Sequence, residues 1–225
     1  RALSLLKRFT CIQYTKQCTN MGVSCVFSYP VPEGRSGAHV VDVLQKQVET
    51  MGGIKTGTFH VDCETYQSVM LNTPKTLHIL HNSEHPASCF AILDSGATLV
   101  ADMLFNSLMS NLRNFYQVRK GAKIESKGNR FQLADFIFKI GSVSLAGSFK
   151  GILIEAEYCP CVVASECWNM LKELLQSLIG NIAESPPPAL KLRMDEIYTP
   201  ATTLLQYQDH FSNFRKAAAM SQPPR

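Results

Sequence analysis

Two pairs of acidic residues sit in strand-like segments with the spacing of a metal site. Glu155 and Glu157 are one residue apart, as are Asp62 and Glu64, and alternate strand positions share a face. Such carboxylates inside a barrel could hold a divalent cation while basic residues grip a phosphate. The basic candidates are Lys123, Lys127, Arg130 and Lys139. The chemistry would be triphosphate hydrolysis, and the competing interpretation is a solvated strand face with cross-strand ion pairs.

The metallohydrolase interpretation is weakened by the residues that follow Glu155 and Glu157. Tyr158 comes directly after Glu157, where such motifs usually continue into a basic residue after one spacer. We therefore favour the ion-paired strand face.

A second candidate is Asp94 in the segment ILDSGAT, residues 92–98, which resembles the catalytic loop of aspartic proteases. That chemistry needs two carboxylates sharing a proton, and the chain has no second Asp-Ser-Gly or Asp-Thr-Gly. A homodimer could supply the partner, but we find no later apolar segment with glycine to stand beside the site. We therefore predict a hairpin that turns at Ser95 and Gly96.

Cysteine and histidine residues form a third candidate set, composed of Cys159, Cys161, Cys167, His78, His81 and His85. No C-x₂-C pair is present, and no spacing supplies a fourth ligand. We predict no metal site here. The eight cysteines are interpreted as reduced and largely buried thiols, because the chain is rich in core residues and has no credible signal peptide.

Strand-like segments dominate the chain, and four helical stretches interrupt them. This pattern predicts an α+β fold, an antiparallel β-barrel or strongly curved sheet of about eight strands flanked by helices. Gly128-Asn129 is a hairpin signal, and Ser36, Asp102 and Ser165 are predicted helix caps. Trp168, the only tryptophan, is predicted to anchor the core.

Composition excludes two classes of function. No apolar stretch approaches the roughly 18 residues that span a bilayer, so no membrane association is expected. Four of the 22 basic residues lie within residues 1–20, which contain no acid, and the remainder balances the 18 acidic residues. A neutral domain without a basic stripe or a nucleic-acid motif predicts no direct nucleic-acid binding.

Six segments of this chain resemble the Mediator complex subunit 20 family, also called the TRF-proximal protein family. The most informative is EYCPCVVASECW, which ends at Trp168. The others are MGVSCV from Met21, GTFHVDCETY at 57–66, HNSEHPASCFA at 81–91, KIESKGNRFQLADFIFKIG at 123–141 and QYQDHFSNFRK at 206–216. Their order and spacing extend the resemblance over residues 21–216.

The resemblance implies a Mediator subunit 18/20-like fold and a nuclear, non-catalytic subunit of the Mediator head module that helps to relay regulatory signals to RNA polymerase II. The implied partners are Mediator subunit 18, as a heterodimer, the C-terminal helix of Mediator subunit 8, and other head subunits. No catalytic, cofactor-binding or metal-binding residue, no cofactor and no small-molecule substrate is expected. The alternatives are a barrel metallohydrolase acting on triphosphates through Glu155 and Glu157, or an aspartic-protease-like domain using Asp94.

The chain is predicted to divide into four parts. Residues 1–20 form an extension outside the fold, and residues 21–180 form the barrel domain with three helices. Residues 181–198, which include three prolines, form a linker. Residues 199–225 form a C-terminal helix and tail that pack on the same domain.

Overall fold

The structure, a computed structural model, describes residues 22–69, 75–119 and 123–220. The predicted extension at 1–20 therefore lies outside the described residues. The strands are β1 (Val23–Tyr29), β2 (Ile54–Ser68), β3 (Thr76–Asn82), β4 (Ser88–Leu93), β5 (Thr98–Asp102), β6 (Tyr116–Val118), β7 (Ile124–Leu133), β8 (Phe136–Leu145) and β9 (Ser148–Tyr158). The helices are α1 (Gly37–Thr50), α2 (Leu104–Asn111), α3 (Ala164–Ile179), α4 (Pro188–Lys191) and α5 (Pro200–Met220).

All nine strands of the described residues join one antiparallel sheet. The strand order is β1-β9-β8-β7-β2-β3-β4-β5, and β6, which is not part of this order, pairs with β2. Helix α5 contacts β1 and β4, which are far apart in this order, so the sheet curves around the helix without closing. The predicted α+β fold with a strongly curved sheet and flanking helices is confirmed.

Strand alternation divides the core between the two faces of the sheet. On β9, Ile152, Ile154 and Ala156 join the cluster under α1 and α3, on the outer face. Leu153 joins the cluster around α5, on the inner face. Because the period of a strand is two, Glu155 and Glu157 also point to the inner face, and both are buried there.

The hairpin predicted at Gly128-Asn129 is wrong, because β7 continues through both residues. Its turn lies at Ala134-Asp135, between β7 and β8, where Ala134 has φ 50°. Gly128 pairs with Gly141 across the strands, and a Cβ on Gly128 would strike the Ile140 carbonyl. The glycine is therefore required by a close strand approach, not by a turn.

The predicted turn at Ser95-Gly96 is confirmed, since Gly96 has φ 82° and the segment joins β4 to β5. Ser36 caps α1 through the amide of His39, and the Asp102 carboxylate accepts a bond from the Leu104 amide at the start of α2. Ser165 does not cap α3, which follows Val163 without a side-chain cap. Trp168 is only half-buried at the edge of the outer core.

The segment between α3 and α5 packs against the domain. It forms a 3₁₀ turn (Gly180–Ala183) and α4, and Ala183, Leu190 and Tyr198 are buried in the outer-face core. None of the helices in the described ranges combines the length and apolar character that a bilayer-spanning helix requires.

Candidate functional site

The Glu155 carboxylate lies at the centre of a buried polar cluster on the inner face of the sheet. Lys139 of β8 donates from Nζ to Glu155 Oε1 at 2.9 Å. Tyr207 of α5 donates its hydroxyl to Glu155 Oε2 at 2.8 Å. All three side chains are buried, and both oxygens of the carboxylate have a donor.

Two further carboxylates surround this pair. Glu84 lies 3.8 Å from Lys139 Nζ and 3.5 Å from Arg130 Nε, measured from its Oε2. Glu157 Oε1 accepts a bond from the backbone amide of Gly22 at 3.0 Å. Together these side chains border a cavity of about 280 Å³, lined by Ser24, Asn82, Glu84, His85, Arg130, Ile137, Lys139, Glu155, Glu157 and Thr203.

Protonation in the cavity follows from burial and from these ion pairs. Burial lowers the pKa of Lys139, but the attraction of Glu155, Glu84 and Glu157 outweighs it, and the net pKa is raised. Burial raises the pKa of the Glu157 carboxyl, and Lys139 only partly opposes this. Burial also lowers the pKa of His85, with Lys139 acting in the same direction. The lysine is therefore held as a cation that neutralises its carboxylate neighbours.

The structure brings together only part of the predicted phosphate and metal site. Lys139 and Arg130 face the cavity with Glu155 and Glu157, as a triphosphate site requires. Lys123 instead pairs with Asp62 at 3.3 Å and with Glu64 at 3.8 Å. Lys127 pairs with Glu125 at 2.9 Å. The cross-strand ion pair favoured from the sequence is present, but Glu155 and Lys139 are buried rather than solvated.

Asp62 belongs to a separate polar cluster on the outer face. Its Oδ1 lies 2.9 Å from His81 Nδ1, and His81 Nε2 lies 3.3 Å from Asn106 Oδ1 of α2. The Asp62 hydrogen bond raises the pKa of His81 to about 10. Burial raises the pKa of Asp62, but His81 and Lys123 overcome it and the net pKa is lowered. These contacts tie α2 to the sheet.

Asp94 lies in the exposed β4–β5 turn and contacts a histidine that sequence reasoning did not connect with it. His78 Nε2 is 3.3 Å from Asp94 Oδ1, and His78 Nδ1 is 3.1 Å from Thr65 Oγ1. This hydroxyl–histidine–carboxylate chain has the connectivity of a catalytic triad. Thr65 is only 2% exposed, so its hydroxyl is not presented to a substrate.

The cysteine and histidine candidates are dispersed. Cys159 and Cys167 are buried near the start of α3, while His81 and His85 lie on β3 and just after it. Within the described ranges, no group of three or more histidine, cysteine, aspartate or glutamate side chains is arranged to hold a metal ion.

The two edges of the sheet differ. On β1, side chains from the C-terminal segment satisfy the outer backbone groups: Gln206 Oε1 accepts from the Val26 amide at 2.9 Å, and His210 Nε2 donates to the Val26 carbonyl at 2.9 Å. Tyr198 and Gln206 donate to the Ser24 carbonyl. At the other edge, no strand of the described residues pairs with the outer side of β5.

The open edge is also apolar. Leu99 and Val100 of β5 are 54% and 55% exposed, and the neighbouring Met103, Leu104 and Leu108 are exposed as well. An uncovered strand edge with apolar side chains is a template for pairing with another chain. The outer backbone groups of β1 are therefore hydrogen-bonded within the chain, whereas the β5 edge is suited to a partner.

Comparison with known proteins identifies relatives along nearly the whole chain. Residues 21–214 match the family model described as "TATA-binding related factor (TRF) of subunit 20 of Mediator complex". Mediator of RNA polymerase II transcription subunit 20 from Gallus gallus is 44% identical over 201 residues, covering 87% of this chain and 95% of the relative. The subunit of the same name from Anopheles gambiae is 46% identical over 210 residues, covering 87% and 95%.

Among solved structures, the PH1012 protein from Pyrococcus horikoshii covers 70% of this chain and 90% of its own, at 13% identity and a TM-score of 0.42.

Proposed function

Because the chain belongs to the Mediator subunit 20 family, we propose that it is a non-catalytic subunit of the Mediator coactivator complex in RNA polymerase II transcription. The observation that carries the proposal is the family match over residues 21–214, together with relatives 44% identical over 87% of the chain. The working location of such a subunit is the nucleus. Its role is to help relay regulatory signals to the polymerase as part of the head module.

The geometry of the buried cluster supports a role without catalysis. A metal-dependent hydrolase needs carboxylate oxygens that are free to bind the cation. Here Lys139 and Tyr207 occupy both oxygens of Glu155, and a backbone amide bonds Glu157. Helix α5 also lies across the inner face. We assign the cluster to stability, because it joins β8, β9 and α5.

Catalysis can be tested directly on the purified chain. Incubation with nucleoside triphosphates and magnesium or manganese should release phosphate at the background rate, and Glu155→Gln should leave that rate unchanged. Turnover in the parent chain that Glu155→Gln abolishes would contradict a non-catalytic role.

The partner expected for this subunit is Mediator subunit 18, in a one-to-one heterodimer, with the C-terminal helix of Mediator subunit 8 as the tether to the other head subunits. The open β5 edge supports such a pairing, because an added strand would bond its backbone and cover Leu99 and Val100. We propose that subunit 18 docks on this edge. Only 18% of the residues are charged, which favours a large apolar contact.

Co-expression with subunit 18 tests the pairing. Size-exclusion chromatography should show a stable one-to-one complex at low and at high salt, because apolar contacts are screened little. Leu99→Asp should weaken the complex, whereas the matched control Leu192→Asp, at a leucine that is 80% exposed beside α4, should not. A stable monomer that ignores subunit 18 would count against the pairing. An unaffected Leu99→Asp complex would count against this edge.

A further inference from the structure

Two cysteine thiols meet at the start of α3 and share one hydrogen-bond acceptor. Cys161 Sγ lies 3.1 Å from the Val163 carbonyl oxygen, and Cys167 Sγ lies 3.7 Å from the same oxygen. The two sulfur atoms are therefore close neighbours. Burial raises the pKa of the Cys167 thiol to about 12, and the adjacent Cys161 thiol adds to this effect.

Exposure distinguishes Cys161 from the other cysteines that the structure describes. Cys161 is half-buried, and it is the least buried of the described cysteines. Cys167 is 3% exposed and shares the Val163 acceptor with Cys161, and Cys25, Cys63, Cys89 and Cys159 are buried as well. A small oxidant dissolved in water would reach Cys161 first, and Cys167 is the thiol placed to react next.

We propose that Cys161 and Cys167 are a modification site, a dithiol that hydrogen peroxide oxidises to an intramolecular disulfide. The sulfur of Cys161 attacks one peroxide oxygen. An S–O bond forms, the O–O bond breaks, and hydroxide leaves and takes up the thiol proton as water. The resulting sulfenic acid is then attacked by the sulfur of Cys167. The S–S bond forms, the S–O bond breaks, and the hydroxide that leaves takes up the Cys167 proton to give a second water.

The position of the pair gives the disulfide a structural consequence. The residues between the two thiols hold the chain that leads into α5: the Tyr198 amide donates to the Val162 carbonyl at 2.7 Å, and the Ser165 amide donates to the Met194 carbonyl at 2.9 Å. Val163 also bridges Ile197. Oxidation would withdraw both thiol donors from the Val163 carbonyl and close a covalent loop over this junction.

Peptide mapping of the full chain tests the proposal. The folded protein is treated with hydrogen peroxide, alkylated, and digested without reduction. A Cys161–Cys167 crosslink within one chain should be the first disulfide among the described cysteines and should disappear with dithiothreitol. A crosslink that instead joins Cys161 to Cys159, or Cys167 to Cys25, would overturn the proposal, as would oxidation that begins only when the protein unfolds.

Two serine variants separate the steps. With Cys161→Ser, Cys167 should remain a thiol at a peroxide dose that oxidises the parent chain fully. With Cys167→Ser, Cys161 should accumulate as a sulfenic acid that dimedone traps. Equal oxidation of Cys167 in the parent chain and in Cys161→Ser would contradict the order of events. Peptide mapping of the parent chain shows which two cysteines form the disulfide, even if a variant is unstable.

Discussion

Replacing Lys139 by methionine should destabilise the domain strongly. The substitution preserves most of the side-chain volume but removes the cation that lies 2.9 Å from Glu155. Both partners are almost inaccessible to water, with side chains 4% and 2% exposed. The Glu155 carboxylate would keep Tyr207 as a donor but would have lost its charge partner at 2.9 Å.

The expected loss is about 3–5 kcal/mol, the range found when one partner of a buried ion pair is removed. That is a large part of the roughly 5–15 kcal/mol that stabilises a typical domain. The matched control is Lys127→Met on the neighbouring strand. Lys127 also bonds a carboxylate at 2.9 Å, but its side chain is 56% exposed. This loss should be about 0–1 kcal/mol.

Urea unfolding of the full chain, followed by the fluorescence of Trp168, measures these free energies. Adding Glu155→Gln to Lys139→Met removes the isolated charge and should recover about half of the loss or more.

Two results would refute this reasoning. One is a Lys139→Met chain within about 1 kcal/mol of the parent at neutral pH, which would mean that water or relaxation solvates Glu155. The other is a double variant no more stable than Lys139→Met alone, which would mean that the loss came from packing and not from charge.

Three further predictions concern the rest of the chain. Trp168→Ala should cost about 2 kcal/mol, because half-burial should give about half of the loss for a core aromatic. Urea unfolding followed by circular dichroism measures this loss, and a value above about 4 kcal/mol would contradict the half-buried position. The His81–Asp62 pair should stabilise the fold fully below pH 6.5 and progressively less as the pH rises towards 10, because the pKa of His81 is raised to about 10. A profile of Tm against pH tests this, and Asp62→Asn should flatten the profile between these two pH values. A chain that begins at Met21 should melt and bind subunit 18 like the full chain, because residues 1–20 precede the family match, and a clear loss of either would show that the extension packs on the domain.

The sequence alone was sufficient for the fold class and for several local features. Alternation correctly placed Glu155 and Glu157 on one face of their strand, because the period of a strand is a property of the backbone. Ser95-Gly96 was correctly predicted as a turn, since the positive φ of Gly96 is a local requirement. The resemblance of six ordered segments was sufficient to identify the family.

The tertiary structure decided which residues those faces contact. Lys139 and Tyr207 are 16 and 52 residues from Glu155 in the chain, and no local pattern indicates that they share its carboxylate. Gly128-Asn129 carries the local signal of a turn, but the close approach of β8 gives the glycine a different role. Long-range packing fixes such roles because it is determined by strand order, which the local sequence does not encode.

Long-range packing also determines the difference between the two edges of the sheet. Gln206 bonds the outer edge of β1 from 180 residues away, and no local pattern around either residue indicates this contact. Among the strands that the structure describes, β5 is the last in the sheet, so its outer edge has no paired strand. The sequence determined that a curved sheet with apolar strands would form, and the tertiary structure determined which edge of that sheet is covered, because a helix remote in sequence packs against only one of them.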